Sequence, residues 1–312
     1  MGGRSTLGRL AAQLATGLVV VLVVATVVFF AFRLLPGDPT LVVLGEQATL
    51  AERAALRARL HLDDPLLTQY LRFLAGLLHG QAGASLRTPS RDAISVVVES
   101  LPDTARLAGV SVGFGSILGV GAGLVSVAST HGFARRLAER CIVLGASVPL
   151  LAFAPVVTWA LSVRLRWVPL PADPDAGLRG LLFAGLLLGL PLGAAVGRMA
   201  RATLLEARES PFLRVARAKG RSRAAIWLVH ALPTCAGPLV TVLAAQLGAL
   251  LGGAVVLERL LERRGLGTVL VDALAARDLP VLQACVLVSA TFFVVVQALG
   301  VQLHAAIDPR AR

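Results

Sequence analysis

Apolar runs long enough to cross a membrane alternate with short polar stretches along most of the chain. Leu10–Phe32 is 23 residues without a charged side chain, Ala236–Leu257 is 22 and Val281–Leu303 is 23. About 20 consecutive apolar residues cross the hydrocarbon core of a bilayer, so each run predicts a membrane-spanning helix. Leu107–Ala128 and Cys141–Val163 are also charge-free, and the shorter Gly180–Gly197 completes a set of six. The first run exceeds the roughly 7–15 apolar residues of a secretory signal core and predicts a retained span. The long polar stretch 33–106 opens with the turn cluster Pro36-Gly37-Asp38-Pro39. It then predicts two amphipathic helices, 47–60 and 65–79, parted by Asp63-Asp64-Pro65. The pattern therefore divides the chain into a tail and first span (1–32), an external helical segment (33–106), a five-helix core (107–303) with a loop at 198–235, and a C-terminal tail (304–312). The fold class is an all-α polytopic membrane protein.

Composition agrees. The 312 residues are 56% hydrophobic and 15% charged, with mean hydropathy +0.78; soluble domains carry about 25% charged residues. The net charge of +12 is unevenly placed. With both termini inside, the inner segments hold fifteen basic and four acidic residues, and the outer ones fifteen basic and fourteen acidic. Long loops count little in the positive-inside rule. Among the short ones, Arg198–Arg223 stands out with eight basic residues, which predicts that it faces the cytoplasm. The charge belongs to a membrane face, and no nucleic-acid partner is expected.

Several chemistries are missing. None of the six spans contains Asp, Glu, Lys, Arg or His, whereas proton-coupled transporters need ionisable groups at membrane depth; sodium sites made of backbone carbonyls stay open. Lys219, the single lysine, is followed by Gly220, so there is no P-loop. His61, His79, His131, His230 and His304 are scattered, and Cys141, Cys235 and Cys285 have no metal or redox spacing. No catalytic residues, no metal site and no cofactor of the chain's own are expected.

Two features invite a function. Gly185, Gly189, Gly193 and Gly197 recur every fourth residue, as do Gly115, Gly119 and Gly123, and also Gly109 and Gly113. Such strips let helices approach closely, either as a sliding seam during gating or as static packing. Gln246 and Gln297 are candidates for hydrogen bonds between spans. The second feature is SPFLRVARAKGRSRAAIWLVHALP, Ser210–Pro233. Ser210 can cap a helix begun by Pro211. Phe212, Val215, Ala216 and Lys219 share one face, with Arg214, Arg217 and Arg221 on another. Gly220 is placed to stop this helix and Ser222 to cap a second, ending at Pro233. Such a pair could dock in a groove on a soluble partner, lie on anionic lipid, or simply obey the positive-inside rule.

The same segment resembles the signature E-A-A-x3-G-x9-I-x-L-P of the permease subunits of binding-protein-dependent ABC importers. Ala216, Gly220, Leu232 and Pro233 match at the right spacing. Arg214, Ala216, Arg217, Ala218, Lys219 and Gly220 match the R-x-A-R-A-K-G version of the first permease of the dipeptide, oligopeptide and nickel group. Landmarks of that group follow in order: Pro36–Pro39, Asp64-Pro65-Leu66, Gln69-Tyr70, Gly80–Ser85, Leu101–Thr104, Ser147-Val148-Pro149, Gly253-Ala254 with Glu258, Gly265-Leu266-Gly267, Arg277–Pro280 and Asp308-Pro309-Arg310. Gln81, Arg264 and His230 depart from the usual Asp, Pro and Ile.

The resemblance implies the six-helix type I importer permease (MetI-like) fold in a bacterial inner membrane, with both termini cytoplasmic. It implies a second homologous permease, one or two ATPase subunits that use ATP and Mg, and an extracytoplasmic solute-binding protein. The segment around Gly220 would be the coupling helix. The solute would be a peptide or a similar small molecule; relatives carry peptides, nickel chelates, opines and glutathione. A non-transporting scaffold and a stand-alone channel or secondary transporter are the competing functions.

Overall fold

A computed structural model describes residues 3–34, 40, 44, 45, 48–59, 61–88 and 90–307. The landmarks at Pro36–Pro39 and Asp308–Arg310 lie outside them. Among the described residues the chain is helical, with one isolated antiparallel bridge between Ala84 and Asp92. The helices are α1 (Gly3–Arg33), α2 (Leu50–Arg59), α3 (Leu66–Leu78), α4 (Ala93–Ala128), α5 (Gly132–Ser147), α6 (Leu150–Thr158), α7 (Gly177–Glu209), α8 (Pro211–Ala218), α9 (Arg223–Leu260), α10 (Leu266–Ala275) and α11 (Leu279–Ile307). Five of these (α1, α4, α7, α9 and α11) are long and apolar enough to cross a membrane, and α5 with the α6 segment makes a bent sixth.

The chain forms two compact units. Unit 1 comprises residues 1–104 and 264–295. Its core gathers Ala93, Val97, Leu266, Val281, Leu282 and Ala284. The helix α2 opens with a reciprocal capping box: Thr49 N–H and Oγ1 donate to Glu52 Oε2 at 2.8 Å, and Glu52 N–H donates to Thr49 Oγ1 at 3.3 Å. The helix α3 is fastened to α1. Tyr70 Oη and Thr26 Oγ1 share a hydrogen bond of 2.7 Å, and the rings of Tyr70 and Phe73 pack on Phe29.

Two pairs of family landmarks, far apart in sequence, meet inside this unit. Thr104 Oγ1 accepts from Leu266 N–H at 2.8 Å, which satisfies an orphan donor at the start of α10. Buried Asp278 accepts from Ser85 Oγ at 2.6 Å and from Arg87 N–H at 3.2 Å, and its other oxygen accepts from Val281 N–H at 3.4 Å in the first turn of α11. One carboxylate thus caps a helix and pins a loop 193 residues away.

Unit 2 comprises residues 105–263 and 296–312 and is built around α7, whose spanning window is 72% buried. Leu187, Leu188, Leu192 and Val196 of α7 pack with Leu107, Ala154, Leu250, Ala254 and Leu257. The run Cys141–Val163, expected as one span, is broken. The helix α5 ends at Ser147, Val148 is extended (φ −89°, ψ 119°), and the α6 segment leaves at 110°. Pro149 is the cause: its ring disfavours helical geometry in the preceding residue, and it has no N–H to continue the ladder. The α6 segment ends in a wide π turn, Trp159–Arg164.

Candidate functional site

Both sequence features fall in unit 2. The glycine strips of α4 and α7 face one another. A Cβ on Gly119 would stand 2.5 Å from the Gly193 carbonyl oxygen and 2.7 Å from Val196 Cβ. One on Gly123 would meet Ala200 Cβ at 2.7 Å and the Gly197 oxygen at 3.0 Å, and one on Gly115 would meet Leu192 Cδ2 at 2.8 Å and the Gly189 oxygen at 3.0 Å. A Cβ on Gly185 would run into the Val110 side chain. Backbone approaches backbone along this line because the glycines themselves carry no side chain. Gly109 and Gly113 meet nothing within 4 Å and take no part.

The basic segment begins where α7 stops. Ser210 is extended (φ −68°, ψ 145°) and Pro211 occupies the first turn of α8. The Ser210 hydroxyl does not cap α8, as the sequence suggested; it donates back to the Ala207 carbonyl. At the other end, Arg221 N–H donates to Ala216 O at 3.3 Å and Gly220 N–H to Arg217 O at 3.0 Å. With Gly220 at φ +71°, this is a Schellman motif, whose left-handed residue favours glycine. Ser222 Oγ then accepts from Ala225 N–H at 3.3 Å.

Of the face that the periodicity groups together, only Ala216 is buried, and Leu213, which that grouping leaves out, is buried beside it. Leu213 and Ala216 are buried, in a cluster with Leu204, Ala207, Ile226, Trp227, Ala231 and Cys235. Phe212 (46% exposed) and Val215 (53%) point outward with Lys219. The apolar residues of α8 occupy two sides of the helix, and the side that carries Leu213 joins the buried cluster with Ala207 and Ala231. Nor does the second helix end at Pro233. It runs on through a π turn (Ile226–Ala231) and a 3₁₀ turn (Leu232–Cys235) into the span Ala236–Leu260. Widening and then tightening the helix accommodates the missing proline N–H without a break. Leu232 is half-buried and Pro233 exposed.

The outward surface of α8 is cationic. Arg214 and Arg217 reach the Glu209 and Arg208 carbonyls, each at 3.4 Å, where a helix C-terminus favours positive charge. Arg223 donates to the Ala128 carbonyl at the end of α4. Arg214, Arg217, Lys219, Arg221 and Arg223 are all exposed, and no ion pair engages them among the described residues. Nearby, Glu139 of α5 accepts from Arg201 of α7 at 2.8 Å and from Arg135 at 3.3 Å. That clasp joins residues 62 apart and left no local signal in the sequence. Among the described residues no cluster of His, Cys, Asp and Glu could hold a metal ion.

Residues 115–312 match the family described as the binding-protein-dependent transport system inner membrane component, and residues 7–107 match its N-terminal companion. The chain belongs to this family. A glutathione transport system permease protein, GsiC, of Pectobacterium atrosepticum is 34% identical over 93% of this chain and 94% of its own length. A dipeptide transport system permease protein, DppB, of Alkalihalophilus pseudofirmus is 32% identical over 95% of this chain and 96% of its own. Among solved structures, a chain of the inward-facing MetNI methionine ABC transporter superposes with a TM-score of 0.55 at 18% identity, covering 68% of this chain and 95% of that one; the likeness is one of fold. The chain is therefore a multi-pass permease subunit of an ABC importer, of the type I importer fold.

Proposed function

We propose that this chain forms half of the pathway by which a peptide or a similar small solute, such as glutathione, enters a bacterial cell. A second, homologous permease supplies the other half. Separate subunits bind ATP and Mg, and an extracytoplasmic binding protein delivers the solute. The loop 198–235 and both termini face the cytoplasm, in keeping with the eight basic residues between Arg198 and Arg223.

The observation that carries this reading is the double-sided character of α8. Leu213 and Ala216 root it in unit 2, while Phe212 and Val215 stand outward between arginines. Fully burying such side chains stabilises by about 1.5–3 kcal/mol each; half of each is still in water here, so docking into a groove offers roughly half that. The charged rim selects an acidic partner surface and speeds encounter. In this reading Arg214, Ala216, Arg217, Ala218, Lys219 and Gly220 form the coupling helix and its stop. Leu232 and Pro233 pass its movement into α9, and the seam of Gly115, Gly119 and Gly123 on Gly185, Gly189, Gly193 and Gly197 repacks between two discrete states.

Cross-linking tests the docking. With Cys141 replaced by serine to remove the exposed native thiol, Val215→Cys is expected to join a cysteine in the ATPase groove. ATP is expected to alter the yield. Equal cross-linking from the exposed Val143→Cys would refute a specific dock.

A further inference from the structure

Unit 1 contains a cavity of about 310 Å³, within the range of small-molecule sites. Phe29, Phe73, Leu62 and Leu279 give it apolar walls, and Arg33, Arg72, His61 and Gln283 give it polar ones. No acidic residue is among the described residues that line it.

The charges are unequally spoken for. Arg72 pairs with Asp64 at 2.8 Å, and His61 stands 3.5 Å from the same carboxylate. Arg33 has no carboxylate partner among the described residues. Its guanidinium lies 4.2 Å from the centre of the Phe29 ring, and its Nε donates to Gln69 Oε1 at 2.8 Å. Gln69 is itself held by two bonds from its Nε2, to the Leu62 and Asp64 carbonyls. The guanidinium is thus oriented by a fixed amide and an aromatic face, with its Nη groups left over. Gln283, 5% exposed and also in the lining, has a buried Nε2 with no hydrogen-bond partner among the described residues. Among the described residues, a cation without a carboxylate partner and a buried donor without an acceptor line one cavity, and both are complementary to an anionic oxygen.

The depth of the cavity narrows the ligand. Arg33 is the last residue of one candidate span, and Leu279 is the first of another. By length and composition these ends fall where a span leaves the hydrocarbon layer. Tyr70 of α3 bonds to Thr26, seven residues before Arg33, which is about 10 Å along a helix. The helix α3 exposes Leu66, Leu67, Leu71 and Leu78, as an interfacial helix does toward acyl chains. The cavity therefore sits at headgroup level.

We propose that this cavity holds the phosphate of one acidic phospholipid headgroup, with Arg33 as counter-ion, Gln283 as neutral donor and Gln69 as the positioning residue. The acyl chains would leave along the exposed leucines of α3. A bound lipid would tie α3 to the ends of α1 and α11 without any part in the reaction of the ATPases.

The test is native mass spectrometry of the full-length chain, delipidated in mild detergent and titrated with phosphatidylglycerol, phosphatidylcholine or inorganic phosphate. One phosphatidylglycerol is expected to bind at least tenfold more tightly than phosphatidylcholine, with no saturable binding of inorganic phosphate. Arg33→Gln should lose that preference, Gln283→Leu should weaken it several-fold with no change of charge, and Arg91→Gln, outside the cavity, should keep it. An undiminished preference in both Arg33→Gln and Gln283→Leu would overturn the assignment. So would inorganic phosphate that competes for the site, which would make it a free-anion site. Should Arg33→Gln aggregate, Gln283→Leu and Arg33→Lys decide. Both are expected to bind more weakly than wild type, and wild-type affinity in both would end the proposal.

Discussion

Two glycine-to-alanine changes on α4, only two residues apart, should have opposite effects. At Gly119 the added methyl would sit 2.5 Å from the Gly193 carbonyl oxygen and 2.7 Å from Val196 Cβ and Cγ1, where ordinary contact begins near 3.4 Å. Neither neighbour can yield easily. One is backbone, and Val196 is fully buried and β-branched, with one strongly preferred rotamer in a helix. The helices must part by several tenths of an ångström, and overpacking of this kind costs about 1–3 kcal/mol. At Gly121 nothing lies within 4 Å, so alanine should gain roughly 0.5–1 kcal/mol of helix propensity. The two variants should then differ by about 1.5–4 kcal/mol, which at 1.4 kcal/mol per tenfold is on the order of 10- to 700-fold in the unfolding constant. Unfolding in mixed micelles, followed by tryptophan fluorescence, reads the difference, since Trp159, Trp167 and Trp227 all lie in unit 2. Gly123→Ala should fall between, and Gly115→Ala should be mildest because its closest neighbour is the end of a leucine side chain. Equal midpoints for Gly119→Ala and Gly121→Ala would refute a close-packed seam.

Three further outcomes follow from unit 1. Asp278→Ala removes the acceptor of the Ser85 hydroxyl proton and of two backbone N–H groups, and should cost about 1–3 kcal/mol; faster proteolysis around Ser85 and Arg87, with less effect in Asp278→Asn, checks it. Backbone and side-chain hydrogen bonds from Thr49 hold the Glu52 carboxyl below its usual range near 4.5. Folding therefore favours its charged form, and the stabilisation present at neutral pH is lost as pH falls through 4.5 and below. Hydrogen exchange at residues 49–53 should accelerate over that window in wild type and show no such step in Glu52→Gln. Arg277 ends α10 at φ +49°, with Asp278 N–H reaching Ala273 O at 2.8 Å. Arg277→Gly should stabilise the fold by up to about 1 kcal/mol, read as a higher unfolding midpoint, since L-residues resist that conformation.

Local pattern carried the sequence reading where the physics is local. Charge-free runs located the spans because a bilayer demands about twenty apolar residues whatever surrounds them. Gly220 was legible as a helix stop, and the fourfold glycine spacing as a strip, because each follows from backbone geometry alone. The failures were tertiary. Leu213, which the sequence assigns to neither face, is buried with Leu204, Trp227 and Cys235, partners supplied by α7 and α9 and not by α8. Pro233 looked like a stop, but a π turn absorbed it. The bonds of Ser85 with Asp278 and of Thr104 with Leu266 join distant segments. They showed in the sequence only as separate landmarks without a stated reason.

In the proposed function, ATP hydrolysed elsewhere moves this chain through α8. This coupling is tested most directly in proteoliposomes holding the chain with its partner permease, ATPase subunits and binding protein. Wild type should take up peptide only with ATP, and solute should stimulate hydrolysis. Arg217→Glu with Lys219→Glu should insert and assemble normally yet lose both uptake and stimulation. Solute-stimulated hydrolysis and uptake at wild-type rates in that double variant would contradict the account.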